Sequence, residues 1–190
     1  MDLSELQEIG ERERASQPPL QIRVCTAAGC LSCGAQAVRQ QLQEAVAAAG
    51  LSEMVCVQGV GCMGLCSRGP LVRVAPTGPL YGGVEAEQAG AIVASLDGKG
   101  TVEAEQIDLS HPFFARQTPI VLENSGLIDP ERIEPCIAAG GYQALYHALR
   151  EMTPAQVVEA IAQSGLRGRG GAGYPTGLKW QLVAKTEAER

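Results

Sequence analysis

Hydrophobic and polar positions change period several times along the first hundred residues. Leu3, Leu6 and Ile9 recur at helical spacing within a polar run, which predicts a helix over 4–15 with Ser4 and Gln7 as its capping box. Gln17-Pro-Pro19 ends that helix, because proline cannot continue it. Leu20-Gln-Ile-Arg-Val24 alternates at period two and reads as a strand. Val38, Leu42, Ala45, Val46 and Ala49 return to helical spacing, so 34–49 is predicted helical, with Gly50 as its stop. Strands follow at 54–57, 71–75 and 80–84, the last two joined by the turn Pro76-Thr-Gly-Pro79. A closing helix over 85–96 is stopped by Asp97-Gly-Lys-Gly100.

The resulting order is β-α-β-β-β-α. Its αβ crossover implies a parallel central pair and its hairpin an antiparallel edge, a thioredoxin-like α/β layout. Residues 101–128 read as an irregular linker, whose apolar His111-Pro-Phe-Phe114 and Pro119-Ile-Val-Leu122 predict packing against the protein. Asp129-Pro130 opens a helix to about Ala139, and Gly140-Gly141 breaks it. Residues 142–150 are helical, Thr153 and Gln156 cap another helix ending near Ser164-Gly165, and a last helix starts at Thr176. The expected organisation is an amino-terminal helix (1–19), an α/β domain (20–100), a linker (101–128) and a second region (129–190).

Composition narrows the function classes. The 190 residues are 45% hydrophobic but only 4% aromatic, so aliphatic side chains must form the core. The net charge of −6 argues against a nucleic-acid partner. No apolar run approaches the roughly 20 residues of a membrane span. The start, Met1-Asp-Leu-Ser-Glu5, has neither the basic nor the apolar part of a signal peptide. Seven cysteines without a secretion signal point to a reducing, cytoplasmic setting, where grouped cysteines bind metal more often than they pair.

Four of those cysteines form two couples in glycine-containing stretches: Cys25-Thr-Ala-Ala-Gly-Cys30 and Cys62-Met-Gly-Leu-Cys66. Four soft thiolates select zinc or an iron–sulfur cluster. Both couples follow strands, so they can converge on one edge of a sheet. A competing assignment takes Cys25, Cys30 and Cys33 with a distant Cys62, the plant-type ferredoxin spacing. A helix beginning right after Cys33 leaves no length for the wrapping loop of that type, and Cys66 would stay unexplained. The paired set is therefore favoured, with Cys33, Cys56 and Cys136 as ordinary small residues. Both gaps also satisfy structural zinc sites, so spacing leaves zinc open. No acid lies between Glu13 and Glu44 or between Glu53 and Glu85, where Arg23, Arg39, Arg68 and Arg73 stand. Such surroundings suit a [2Fe–2S] centre that becomes more negative on reduction.

A glycine loop, Gly168-Arg-Gly170-Gly-Ala-Gly173, formally matches the dinucleotide pattern, but a helix precedes it where that pattern needs a strand. Its glycines let backbone amides approach an anion, and Arg167, Arg169 and Lys179 add charge with no acid between Ser164 and Trp180. The run from Ser164 to Trp180 resembles the signature of the flavin-binding, NADH-oxidising subunit of respiratory NADH dehydrogenase and its relatives. Gly140-Gly-Tyr-Gln-Ala-Leu145 and the helix start at Met152-Thr-Pro154 are similar to that family's amino-terminal helices. The cysteine module resembles the thioredoxin-like [2Fe–2S] domain of the same enzymes. Its fusion ahead of a flavin domain is similar to the diaphorase subunit of bidirectional NAD-reducing [NiFe] hydrogenases, which Cys25-Thr-Ala-Ala-Gly-Cys-Leu31 resembles most; NAD-dependent formate dehydrogenases and electron-bifurcating hydrogenases have comparable fusions.

The resemblance implies a thioredoxin-like [2Fe–2S] domain followed by the helical start of a flavin/NADH-binding domain. It implies Cys25, Cys30, Cys62 and Cys66 as cluster ligands. Gly168, Arg169, Gly170, Gly171, Ala172 and Gly173 would line an FMN and NAD(H) pocket, with Lys179 near the flavin phosphate. Tyr174 stands where the family usually has Phe and would stack on the nucleotide. The family's flavin domain continues with further flavin contacts and a [4Fe–4S] region, so the resemblance implies the amino-terminal part of such a subunit. The implied activity is NAD(H)-linked electron transfer through FMN and clusters, with other hydrogenase or dehydrogenase subunits as partners. The alternatives are a non-catalytic [2Fe–2S] module and a zinc-stabilised interaction domain. His111 and His147 stand alone and are expected to be structural.

Overall fold

The computed structural model describes residues 2–98 and 100–187; Lys99 of the expected 97–100 turn, with Met1 and 188–190 of the expected terminal segments, lies outside the described residues. The elements are α1 (Leu3–Ser16), β1 (Leu20–Cys25), α2 (Ala28–Ser32), α3 (Ala35–Ala48), β2 (Val55–Val60), β3 (Val72–Ala75), β4 (Leu80–Gly82), α4 (Ala89–Ala94), β5 (Glu105–Ile107), α5 (Pro112–Ala115), α6 (Ile133–Ala138), α7 (Gln143–Glu151), α8 (Pro154–Gln163) and α9 (Thr176–Ala184). They divide into two compact units: Gln7–Gly140, and a second that begins at Gly141 and takes in the residues before Gln7. Among the described residues, no helix is long and apolar enough to cross a membrane.

The first unit is built on a five-stranded sheet of order β2-β1-β3-β4-β5. β1 and β2 are parallel in the register Leu20↔Val55 to Cys25↔Val60. β3 is antiparallel to β1, and β4 to β3. The parallel pair therefore sits at one edge and not in the centre as expected, because the β3–β4 hairpin adds to the free side of β1. β4 is not the opposite edge either. β5, from the stretch expected to be irregular, pairs with it through Leu80↔Ile107 and Gly82↔Glu105. A three-residue strand with two exposed residues carries no visible alternation, so only the edge it completes defines it.

The core explains these elements. α3 buries Ala35, Val38, Leu42 and Val46, spaced three and four apart, and packs against β1, β2 and α4. Ile22, Val24, Leu71, Val72 and Ile92 complete a wholly buried aliphatic cluster, each worth about 1.5–3 kcal/mol of burial. The expected helix 85–96 is a shorter α4 flanked by 3₁₀ turns, with Glu85 and Gln88 as a capping box. β4 stops at Gly82 because Gly83 turns the chain at φ 61°.

Two helix starts differ from expectation. In α1 the capping box is Asp2 with Glu5, not Ser4 with Gln7: Asp2 Oδ1 accepts from the Glu5 amide at 2.9 Å, and Glu5 Oε2 from the Asp2 amide at 2.6 Å. At Asp129 the carboxylate accepts from the Glu131 amide at 2.9 Å and closes a tight turn instead. Arg132 is then extended, and α6 begins only at Ile133. Arg132 donates twice to the buried Glu13 carboxylate, at 3.0 and 2.7 Å, and Arg14 Nη1 donates to the Ala138 carbonyl at 2.7 Å. These bonds fasten α6 to α1 within the first unit. Arg132→Ala should leave the Glu13 carboxylate uncompensated and cost about 1–3 kcal/mol in urea unfolding; an unchanged midpoint would count against this fastening.

The second unit joins α7, α8 and α9. Thr153 and Gln156 form the expected capping box of α8. α8 and α9 approach closely at Gly177 and Ala162. Between them, residues 167–175 close as a loop: the Gly168 amide donates to the Tyr174 carbonyl at 2.8 Å, and the Thr176 amide to the Leu166 carbonyl at 2.9 Å.

Candidate metal centre

The parallel register brings the two cysteine couples together. Cys25 is the last residue of β1 and stands opposite Val60, the last of β2, two residues before Cys62. The Thr26 amide and hydroxyl both donate to the Val60 carbonyl, at 2.9 and 3.0 Å. The Cys25 amide donates to the Leu71 carbonyl at 3.0 Å, which fixes the strand end from its other side. The first couple is not wholly a loop, since α2 carries Cys30 in its single turn and a half. A Cβ added at Gly29 on that helix would stand 3.5 Å from Cys66 Cβ and 3.7 Å from its sulfur, so α2 lies directly against the second couple.

The four sulfurs sit at graded depth. Cys25 and Cys30 are fully buried, Cys62 is half-buried and Cys66 is exposed. They stand as two pairs. Cys62 and Cys66 have their sulfurs 3.7 Å apart. Burial, followed by the hydrogen bond to Cys25, pushes the Cys30 thiol up to about 12 against the pull of the Leu71 amide; the charges of Cys25 and Cys66 add to the rise. The hydrogen bond to Cys62, then the charges of Cys62 and Cys25, raises Cys66 as well. Each couple thus lies within electrostatic reach of the other. Cys33 is exposed at the end of α2 and contributes to neither shift; Cys56 lies near Arg39, Arg132 and Glu13 instead, and Cys136 is in α6.

This donor set fits a [2Fe–2S] cluster. Such a cluster takes four thiolates as two pairs, one pair per iron. Among the described residues, no three His, Cys, Asp or Glu side chains already stand close enough to hold one metal ion. Backbone N–H groups already face the sulfurs: Gly64 donates to Cys62 Sγ at 3.3 Å. A Cβ at Gly69 would lie 2.9 Å from Cys30 Sγ, so glycine is needed there for the chain to pass the buried thiol. The strands leading to the site carry Arg23 and Arg73 directly opposite each other, and burial, then Arg73, lowers the Arg23 pKa. Arg23 donates twice to Gln21 Oε1, at 3.0 and 2.9 Å, and like charges directly opposite on neighbouring strands are costly.

The raised thiols set a pH dependence. Cys30 rises from an ordinary value of 9.0 to about 12 in the folded, metal-free chain, so the folded state holds its proton more tightly than the unfolded one. Its contribution to stability is fully present below about pH 9 and is lost as pH rises towards 12. Iron must displace these protons, so loading should speed up with pH over the range of about 7 to 9, while metal-free stability falls only above it. Loading that is flat with pH, followed by visible absorbance, would contradict this.

The remaining candidates fall in the second unit. Gly168, Arg169, Gly170, Gly171 and Ala172 are exposed, Gly173 is half-buried and Tyr174 is exposed. Gly171 and Gly173 have φ of 104° and 63°, which side chains rarely adopt. Arg167 Nε donates back to the Gly173 carbonyl at 2.6 Å, so it shapes the loop. Lys179 is exposed on the first turn of α9. His111 caps α5 by accepting from the Phe113 amide at 3.2 Å, and His147 Nδ1 pairs with Glu151 at 3.0 Å. Sequence reading missed one contact at the cysteine site. Ser125 Oγ donates to the Cys62 carbonyl at 2.7 Å from 63 residues away, and only the turn-forming Asn124-Ser-Gly126 hinted at structure there.

Comparison with known proteins agrees with this geometry. Residues 13–97 match the family of thioredoxin-like [2Fe-2S] ferredoxins. The chain is 49% identical over 75 residues to the NADP-reducing hydrogenase subunit HndC of Solidesulfovibrio fructosivorans, covering 40% of this chain and 15% of the relative. It is 49% identical over 67 residues to an NADH-quinone oxidoreductase subunit of Rhizobium meliloti (strain 1021), covering 35% and 16%. The chain thus spans a small part of these relatives. The wild-type thioredoxin-like [2Fe-2S] ferredoxin of Aquifex aeolicus, solved by crystallography, aligns with 48% of this chain and 99% of its own at 27% identity and a TM-score of 0.42. The fold of the first unit is thus thioredoxin-like, and its segment 13–97 is similar to the thioredoxin-like [2Fe-2S] ferredoxins.

Proposed function

We propose that this chain is the amino-terminal, cluster-bearing part of an NAD(H)-linked oxidoreductase subunit, and that Cys25, Cys30, Cys62 and Cys66 are the cluster ligands. The observation that carries the reading is the meeting of two cysteine pairs at the ends of β1 and β2, inside the segment that matches the ferredoxin family. The similarity to a hydrogenase subunit and to an NADH-quinone oxidoreductase subunit supports a nicotinamide-linked role. The cluster supplies one-electron transfer when bound, and FMN in the complete subunit would divide the electron pair of NADH between one-electron carriers. This chain's residues do the rest. The four cysteines hold the cluster, the Gly64 and Leu71 amides stabilise its sulfurs, and the buried Cys25–Cys30 side excludes water. Cys66, at the exposed rim, marks the side on which a partner subunit would approach. In the second unit the loop 168–173, Tyr174 and Lys179 would line the flavin and nucleotide pocket; the complete subunit would serve a hydrogenase or dehydrogenase complex in the cytoplasm.

Iron, sulfide and flavin analysis of the purified chain tests the cluster directly: about two irons and two sulfides per chain are expected, and a colourless zinc protein would refute it. Gly170 tests the nucleotide pocket. A Cβ there meets nothing within 4 Å, so Gly170→Val should fold normally. In a subunit carrying the whole flavin domain, the same change should fill the space that a phosphate requires and abolish FMN retention. Unchanged flavin content would remove the loop from the pocket.

A further inference from the structure

A second segment, outside the matched ferredoxin stretch, takes part in the cluster site. Residues 124–128 form a compact turn in which the Asn124 carbonyl accepts from the amides of Leu127 and Ile128, at 3.2 and 3.4 Å. Three contacts press this turn onto the second cysteine loop. Ser125 Oγ donates to the Cys62 carbonyl at 2.7 Å. The Gly61 amide donates to the Ile128 carbonyl at 3.3 Å. Gly126 is buried at φ 76°, and a Cβ there would stand 3.0 Å from Met63 Cγ, 3.1 Å from Met63 Cα and 3.3 Å from the Cys62 carbonyl. The family match ends at residue 97, so this strap is an addition to the ferredoxin domain.

Resting on the ligand assignment proposed above, we infer that the strap 124–128 positions the Cys62 loop and tunes the cluster, with Ser125 as the positioning residue. The Cys62 carbonyl belongs to the residue whose sulfur accepts the Gly64 amide at 3.3 Å. Fixing that carbonyl fixes the Cys62–Met63 peptide, which adjoins the Met63–Gly64 peptide whose amide meets the sulfur. The strap also lies against Met63 and the backbone of the half-buried Cys62. Amide–sulfur bonds and solvent access are two determinants of iron–sulfur potentials, so loosening the strap changes the electronic environment of the cluster as well as its lifetime.

The test compares wild type, Ser125→Ala, Ser125→Thr and Gly126→Ala in the whole chain. Ser125→Ala should lose its cluster to a chelator about fivefold faster, the rate equivalent of one hydrogen bond. Its reduced cluster should give shifted EPR g-values and a changed midpoint potential. Ser125→Thr keeps the hydroxyl and should restore all three. Gly126→Ala, strained at its φ and crowded by backbone, should change them in the same direction. In the metal-free chain, hydrogen exchange at Met63 and Gly64 should quicken in Ser125→Ala. Faster chelation with unaltered g-values and potential would overturn the tuning role, and unaltered exchange would overturn the strap itself. A wild-type chain that binds no cluster would refute the ligand assignment, while the exchange measurement would still decide whether the strap holds the loop.

Discussion

Cys66→Ala is expected to yield a chain with no stable cluster, its iron near background and its visible absorbance lost, whereas Cys33→Ala keeps both. Both cysteines are exposed, so accessibility does not distinguish them. Position does. Cys66 has its sulfur 3.7 Å from Cys62 Sγ and feels the charge of Cys25 across the site. Cys33 ends α2 and raises the pKa of neither Cys30 nor Cys66. On the proposed ligand assignment, removing one of four thiolates leaves an iron with an incomplete ligand set, and Cys25, Cys30 and Cys62 are already committed as ligands. Iron retained in Cys66→Ala and lost in Cys33→Ala would favour the plant-type ligand spacing and sink the paired one.

Gly177→Ala is expected to open the second unit. Its Cβ would fall onto Ala162 Cα, with Ala162 N and Cβ at 2.8 Å. All of these belong to backbone or to a side chain too short to move aside. α8 and α9 must separate, and overpacking of this kind costs about 3 kcal/mol. The change should raise protease sensitivity after residue 141 and leave the cluster's absorbance intact, because the ferredoxin domain lies in the other unit. Equal resistance in the variant and the wild type would show that the two helices do not depend on this approach. Alanine is normally the better helix former, so a loss here cannot come from propensity.

Much of the ferredoxin domain was legible in the sequence because its signals are local. Val38, Leu42 and Val46 are buried on one face of α3 as their spacing requires, and Ile22 and Val24 alternate with Arg23 along β1. Thr153 and Gln156 cap α8 through atoms three residues apart. Local competition explains two misreadings. Asp2 and Ser4 are both good caps, and the oxygen that met the Glu5 amide was Asp2's. Asp129 satisfied the amide two residues on, which closed a turn before any helix began. The edge position of the parallel pair was not legible, since strand order depends on which side of β1 the hairpin joins. β5 was hidden for a similar reason: its definition comes from β4.

The cysteine site divides the same way. The residues that could hold a cluster are legible from spacing alone: two couples of soft ligands, each after a strand, in stretches free of acids. The sequence also determined the glycine loop and the charge around it. The folded chain adds what spacing does not carry: the second couple has its sulfurs 3.7 Å apart, Cys25 and Cys30 are buried, and Cys66 is exposed. It alone brought Ser125 to the Cys62 carbonyl. Ligand type and helical or strand period are properties of neighbouring residues. Which carbonyl a distant hydroxyl reaches is set by the sheet and by the turns that return the chain to it.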